Sequence, residues 1–111
     1  MSTEKITKAL ARRLAQSKGN PVSGVVFAAI ETEKLPLTSF AARAAARDQE
    51  VQQKLSRVMA RIRAWESSNG QRATVAVRPD AAAVAVTAPP ALFAALAEDE
   101  AVRAIDVEAS Q

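Results

Sequence analysis

An α+β fold is predicted for this chain: one antiparallel four-stranded sheet, two helices on one of its faces, and a further helix ahead of them. Three observations carry the prediction. VSGVVFAAI at residues 22–30 is dense in β-branched residues and stands before a long stretch of helical periodicity. RATVAVRP and AAAVAVTA, at 72–79 and 81–88, alternate with period two on either side of a Pro-Asp step. A short apolar helix pattern then precedes a last alternating run, AVRAIDVEAS at 101–110.

At the N-terminus, Ser2 or Thr3 is placed to cap a helix in which Ile6, Leu10 and Leu14 recur every four residues, with Gly19 as its stop. Lys5, Lys8, Arg12 and Arg13 surround that narrow stripe. Residues 1–20 therefore read as a basic helical arm that docks on the domain, pairs with another chain, meets an acidic partner, or hangs loosely. The run at 22–30 is apolar at both parities, as a strand buried on both faces requires, so it belongs in the centre of the sheet.

ETEKLPLTS is a turn-rich connection, and Thr38 or Ser39 then offers an N-cap to a helix running to about Ser67. Val51, Leu55, Val58, Ile62 and Trp65 give this helix one apolar seam. Packing against the sheet accounts for the seam better than a coiled coil does, because the pattern is so short. At roughly 1.5 Å per residue the helix would be about 43 Å long, more than a small sheet covers. SFAARAAARDQE, at its start, is expected to overhang, bend or meet a partner, and SSNGQ ends it.

In the two alternating runs, Val75 and Val77 share one face, as do Val84 and Val86, whereas Thr74, Ala76, Ala83 and Ala85 hold the other. The valine side should take the helices. The small-residue side should be flat and weakly polar, a surface that another protein's helices can cover, unless its alanines only reflect an alanine-rich composition. Pro89 and Pro90 suit a helix's first turn, and Leu92, Phe93 and Leu96 form its inward face. Glu98, Asp99 and Glu100 stop it, since negative charge is unfavourable at a helix C-terminus. Val102 and Ile105 anchor the corner that follows, with Val107 inside the last strand.

The order after the arm is thus β, long α, β, β, short α, β. This is the order of a split βαβ, ferredoxin-like βαββαβ sandwich with the first and third strands central, and it leaves one sheet face open. The domain organisation expected is an arm at 1–20 and one ferredoxin-like domain at 21–111. A chain of 111 residues that is 49% hydrophobic is enough for one core and too short for two.

The composition narrows the chemistry. Cys, His and Tyr are all absent, which removes the thiol nucleophile, the usual general base and the best metal ligands, so an enzyme is not expected, nor a metal or cofactor. The three glycines, Gly19, Gly24 and Gly70, lie too far apart for a phosphate-binding or dinucleotide loop. The N-terminus has no apolar core of signal-peptide length, and no window approaches a membrane span, so a cytoplasmic location without membrane association is expected.

Net charge is +3, but residues 1–70 hold 12 Lys/Arg against 6 Asp/Glu and residues 71–111 hold 3 against 6. Solvated helix faces explain this asymmetry more simply than a nucleic-acid surface. An RNA-recognition sheet would also need aromatic platforms on both central strands, and Phe27 on the first has no counterpart in AAAVAVTA.

The closing stretch, AAAVAVTAPPALFAALAEDEAVRAIDVEAS, resembles the second half of the subtilase propeptide family and its free-standing protease inhibitors. It has their small-residue strand, a short helix with Leu92 and Leu96, an acidic turn before Val102, and then VRAIDVE. The resemblance covers roughly residues 21–31 and 72–111. It implies an open sheet face packed on surface helices of a subtilisin-like serine protease, and an extended C-terminal tail lying in the protease's cleft like a product. On this chain the face would be Thr74, Ala76, Ala83 and Ala85, and the tail Glu108, Ala109, Ser110 and Gln111. The helix before Gly70 is longer than is usual in that family, and Glu108 stands where such tails commonly carry an apolar residue.

The expected function is accordingly a protein-binding module, an inhibitor or chaperone-like partner of a subtilisin-like protease. The runner-up is a non-inhibitory interaction protein, a dimer through the alanine face or through the seam from Val51 to Trp65. Third comes a basic nucleic-acid accessory using Arg12, Arg13, Arg57 or Arg61, for which affinity would fall steeply with salt.

Overall fold

The computed structural model describes residues 5–30 and 39–108. Its elements are α1 (Lys8–Gln16), β1 (Val22–Ala28), α2 (Phe40–Asn69), β2 (Thr74–Arg78), β3 (Ala83–Ala88), α3 (Pro90–Ala97) and β4 (Val102–Val107). The strands form one sheet in the order β2-β3-β1-β4, with every neighbouring pair antiparallel. β1 and β3 are central, as the split βαβ order requires, and the fold is an α+β sandwich of ferredoxin-like type.

One core holds the layers together. Val51, Leu55, Val58 and Ile62 of α2 and Leu92, Phe93, Leu96 and Ala97 of α3 pack with Val22, Val26 and Ala28 of β1, Val84, Val86 and Ala88 of β3, and Val102 and Ile105 of β4. The seam of α2 is therefore core and is not free for a coiled coil or a seam-mediated dimer. Val102 and Ile105 are three residues apart, a spacing that a regular strand would place on opposite faces. A register shift opposite Phe27 and Ala28 returns both to the core, which is the local effect of a β-bulge.

Two helix ends follow the sequence closely. Ser39 caps α2, its Oγ accepting from the Ala42 N–H at 3.0 Å, and Gly70 closes it in the left-handed conformation at φ 63°. The start of α2 overhangs as expected: the first buried residue is Val51, and Phe40 is 89% exposed. At the other end Glu66 accepts from Arg63 Nη1 at 2.6 Å and from the Ala73 N–H at 2.7 Å, tying the helix to the approach to β2. The Arg63 guanidinium, and then the Ala73 amide, hold the Glu66 carboxyl below its ordinary value.

α1 differs from its prediction. Ser2 and Thr3 lie outside the described residues, and the cap is Thr7, so the helix begins after Ile6. Ile6 makes a parallel bridge with Ile105, and the Thr7 N–H donates to the Ile105 carbonyl at 3.0 Å. That pairing takes the backbone that a longer helix would have used. Thr7 Oγ1 accepts from the Leu10 N–H and donates to Asp106 Oδ1 at 2.7 Å, while Leu10 is fully buried in the core. The arm is thus packed on the outer edge of β4 rather than loosely attached. Lys18 and Gly19, both at positive φ, turn the chain into β1.

Val77 is a second departure, 47% exposed although it shares the helix-facing parity of Val75. It lies on an edge strand near the hairpin end, where α2 leaves a groove. The hairpin itself turns through a 3₁₀ step at Pro79–Ala81 and a left-handed Ala82.

At Gly24 the layers approach closely. A Cβ there would stand 2.9 Å from Phe93 Cε1 and 3.2 Å from the Asp106 carbonyl oxygen, with Leu10 at 3.5 Å. Gly24→Ala should lower unfolding free energy by about 1–3 kcal/mol in urea melts, the usual range for overpacking a filled core. Glu66→Gln tests the α2 to β2 tie through pH. Because the folded carboxyl titrates low, its contribution should be complete above the ordinary value of 4.5 and vanish as pH falls through the folded value. Wild type and variant stability curves should therefore converge in acid; curves parallel at all pH values would remove the tie.

Candidate functional site

Side-chain alternation places on the helix-free side the strand residues of the parity opposite to that of the core. The register aligns these residues in three rows. Thr74, Thr87 and Ser23 form the first row; Ala76, Ala85, Val25 and Asp106 the second; Arg78, Ala83, Phe27 and Ala104 the third.

The first row is hydroxylic, with Ser23 Oγ and Thr87 Oγ1 2.8 Å apart. The middle of the face is a floor of small side chains. All four face residues predicted from the sequence lie on this side, but they differ in access: Thr74 and Ala76, on the edge strand, are exposed, while Ala83 is 0% and Ala85 6% exposed. At the β4 side the Arg103 guanidinium stands 6.0 Å over the Phe27 ring, a cation–π arrangement.

The face is not flat. Arg78, on one edge of the sheet, pairs with Glu108, just past the end of the other edge, with Nη2 and Oε1 at 2.5 Å. Both residues have the parity of the helix-free side, so the pair crosses this side diagonally, from the third row to the level of the first. Strands about 4.8 Å apart would hold two edges of a flat four-stranded sheet about 14 Å apart. Twist, which folds opposite corners together, brings these side chains within reach over alanine-sized neighbours. The start of the predicted tail is therefore tied back across the face; Ala109, Ser110 and Gln111 lie outside the described residues.

Sequence reasoning missed four contributors. Val25 and Phe27 belong to the face through β1, a strand read only as buried on both sides. Arg78 shares the parity of Thr74 and Ala76, which is the signal that places it on this face. Asp99 was read only as a helix stop. It organises the corner before β4: its Oδ1 accepts from the Ala101 N–H at 2.8 Å and lies 3.3 Å from Arg57 Nε, and its carbonyl accepts from Lys5 Nζ at 2.9 Å. All four arginines considered for nucleic acid, Arg12, Arg13, Arg57 and Arg61, are exposed, Arg57 while paired with Asp99.

No described helix is long and apolar enough to cross a membrane. No protein family, curated protein or solved structure matches this chain.

The Arg78–Glu108 pair is 49% and 29% exposed at its two side chains, so solvent screens it and its contribution to stability is small. Arg78→Ala and Glu108→Gln should each shift unfolding free energy by no more than about 1 kcal/mol in urea melts. A larger loss would assign the pair to the fold and not to the surface.

Proposed function

We propose that this protein is a protein-binding module that inhibits a subtilisin-like serine protease or assists its folding, using the helix-free face and the C-terminal tail. The observation that carries the reading is the face itself: a sheet side without helices whose floor is Ala76, Ala83, Ala85 and Val25, leading through β4 towards the tail. Small side chains let a partner's helices approach the sheet closely, and the hydroxyl row supplies polar contacts at one end. A strand that runs on into an extended tail can add to a protease's substrate-binding edge by main-chain hydrogen bonds. The role needs no catalytic group of its own.

Glu108 has a specific part in this reading. Paired with Arg78 it covers the floor; released, it frees both the face and the first tail residue, so a partner must open the pair to use either. The competing reading, an interaction module without a protease partner, uses the same face and dispenses with the tail.

A subtilisin-type protease titrated with the purified chain, and in parallel with a chain lacking residues 108–111, separates the two. Inhibition by the full chain alone is expected. Binding without inhibition, unaffected by the truncation but lost on placing a charge at Ala85, would support the competing reading instead.

A further inference from the structure

The two edges of the sheet are treated differently. β4 has its outer edge covered at Ile105 by Ile6 and Thr7, whereas β2 pairs on its outer side with no described strand. We infer that the free edge of β2 joins the β2 of a second copy, in antiparallel pairing centred on Ala76, to make one eight-stranded sheet.

Backbone direction fixes that register. The Ala28 N–H donates to the Ala82 carbonyl and the Ala29 N–H to the Ala101 carbonyl, so even residues of β1 turn their backbone groups toward β3 and odd ones toward β4. Carried across the antiparallel ladder, Ala83, Ala85 and Thr87 turn theirs toward β2, where they meet Arg78, Ala76 and Thr74. Val75 and Val77 are left with their N–H and C=O groups pointing outward. A two-fold axis that places Val75 of each copy opposite Val77 of the other uses all of these outward groups; an axis through Val75 would set Val77 against Ala73, whose N–H is taken by Glu66, and one through Val77 would set Val75 against Pro79, which has no N–H. Ala76 meets its own symmetry mate as the close, non-hydrogen-bonded pair.

This register is self-complementary in its side chains as well. The valine pairs fall on the helix side, where Val77 is exposed at the mouth of a groove of ≈ 640 Å³ that Leu55, Met59 and Pro79 help to line. Ala76 tolerates the narrow approach of its mate. Thr74 lies opposite Arg78, so no like charges face one another. The middle of the edge carries no guard against pairing: Thr74, Val75, Ala76 and Val77 include no proline and no charge, Arg78 and Pro79 stand only at its end, and the sheet's register shift lies between β1 and β4 instead. The interface leaves the helix-free face of each copy uncovered, so it is compatible with the proposed function and independent of it.

The chain has no native cysteine, which makes a direct test available. At the centre of such a pairing two Cα atoms stand about 4.5 Å apart, within disulfide range. Ala76→Cys should therefore cross-link nearly completely on mild oxidation, while Ala91→Cys, on the exposed side of α3, should stay at background. Light scattering on the unmodified chain should give a dimer, and Val77→Lys, which keeps a folded circular dichroism spectrum, should shift it to monomer. A chain that stays monomeric at millimolar concentration overturns the inference. So does a dimer that survives Val77→Lys and shows no preference for cross-linking at Ala76→Cys, since its interface lies elsewhere.

Discussion

The absence of one side chain at Gly24 governs how the layers of this protein meet. Gly24 sits on the central strand β1 between its register partners Val86 and Val107, and the space its Cβ would fill is taken by Phe93 of α3, with Leu10 of α1 beside it. Phe93 and Leu10 are both fully buried. One vacancy thus seats two helices that are far apart in sequence, and α2 closes the remaining core through Val51, Leu55, Val58 and Ile62. A bulkier residue at 24 would lift α3 and α1 together, which would expose the sheet between them. An interior packed near crystal density has no slack to absorb that shift.

Once three helices occupy one side, the character of the other side follows from parity. Every second residue of β1 and β3 is committed to the core, and the residues left for the other side are mostly small: Ala76, Ala83, Ala85, Ser23 and Thr87. A solvated sheet face usually carries long polar side chains, and here that task falls to a few residues at the margins, Arg78, Arg103, Asp106 and Glu108. Arg78 and Glu108 meet in an ion pair and Arg103 lies over Phe27, while Asp106 turns to Thr7 at the outer edge. Such cover is held by partly exposed charges that water can also satisfy, so opening it costs little. A surface closed by a cheap contact over a well-ordered apolar floor is suited to exchange one cover for another.

Much of this was legible in the sequence because it depends on period and punctuation. The seam of α2, its Ser39 cap and Gly70 stop, the central place of VSGVVFA, and the shared face of Thr74, Ala76, Ala83 and Ala85 are all local patterns with one structural solution. The failures have a common cause in contacts between distant residues. Ile6 satisfies the helical period of Leu10 and Leu14, yet a bridge to Ile105, 99 residues on, holds it outside the helix. Val77 satisfies the period of Val75, and only its place at the edge exposes it. The Arg78–Glu108 pair joins opposite edges of the sheet, a proximity that exists only after the strands are ordered and twisted.

Edge accounting connects the fold to its use. A tail that adds to a partner's substrate-binding edge must present free main-chain groups, but Thr7 already takes the Ile105 carbonyl, and Asp106 holds both the Thr7 hydroxyl and the Val107 N–H. Pairing with a partner can therefore begin no earlier than the end of β4, where Glu108 leaves the sheet. The arm packed against β4 thus does two things: it blunts an edge that would otherwise template uncontrolled pairing, and it confines any strand addition on that side to the tail. No described segment guards β2 in this way, and the groups it turns outward are those of Val75 and Val77. The two proposals thus draw on opposite edges of one sheet, a protein partner at the tail beyond β4 and a second copy at the outer side of β2.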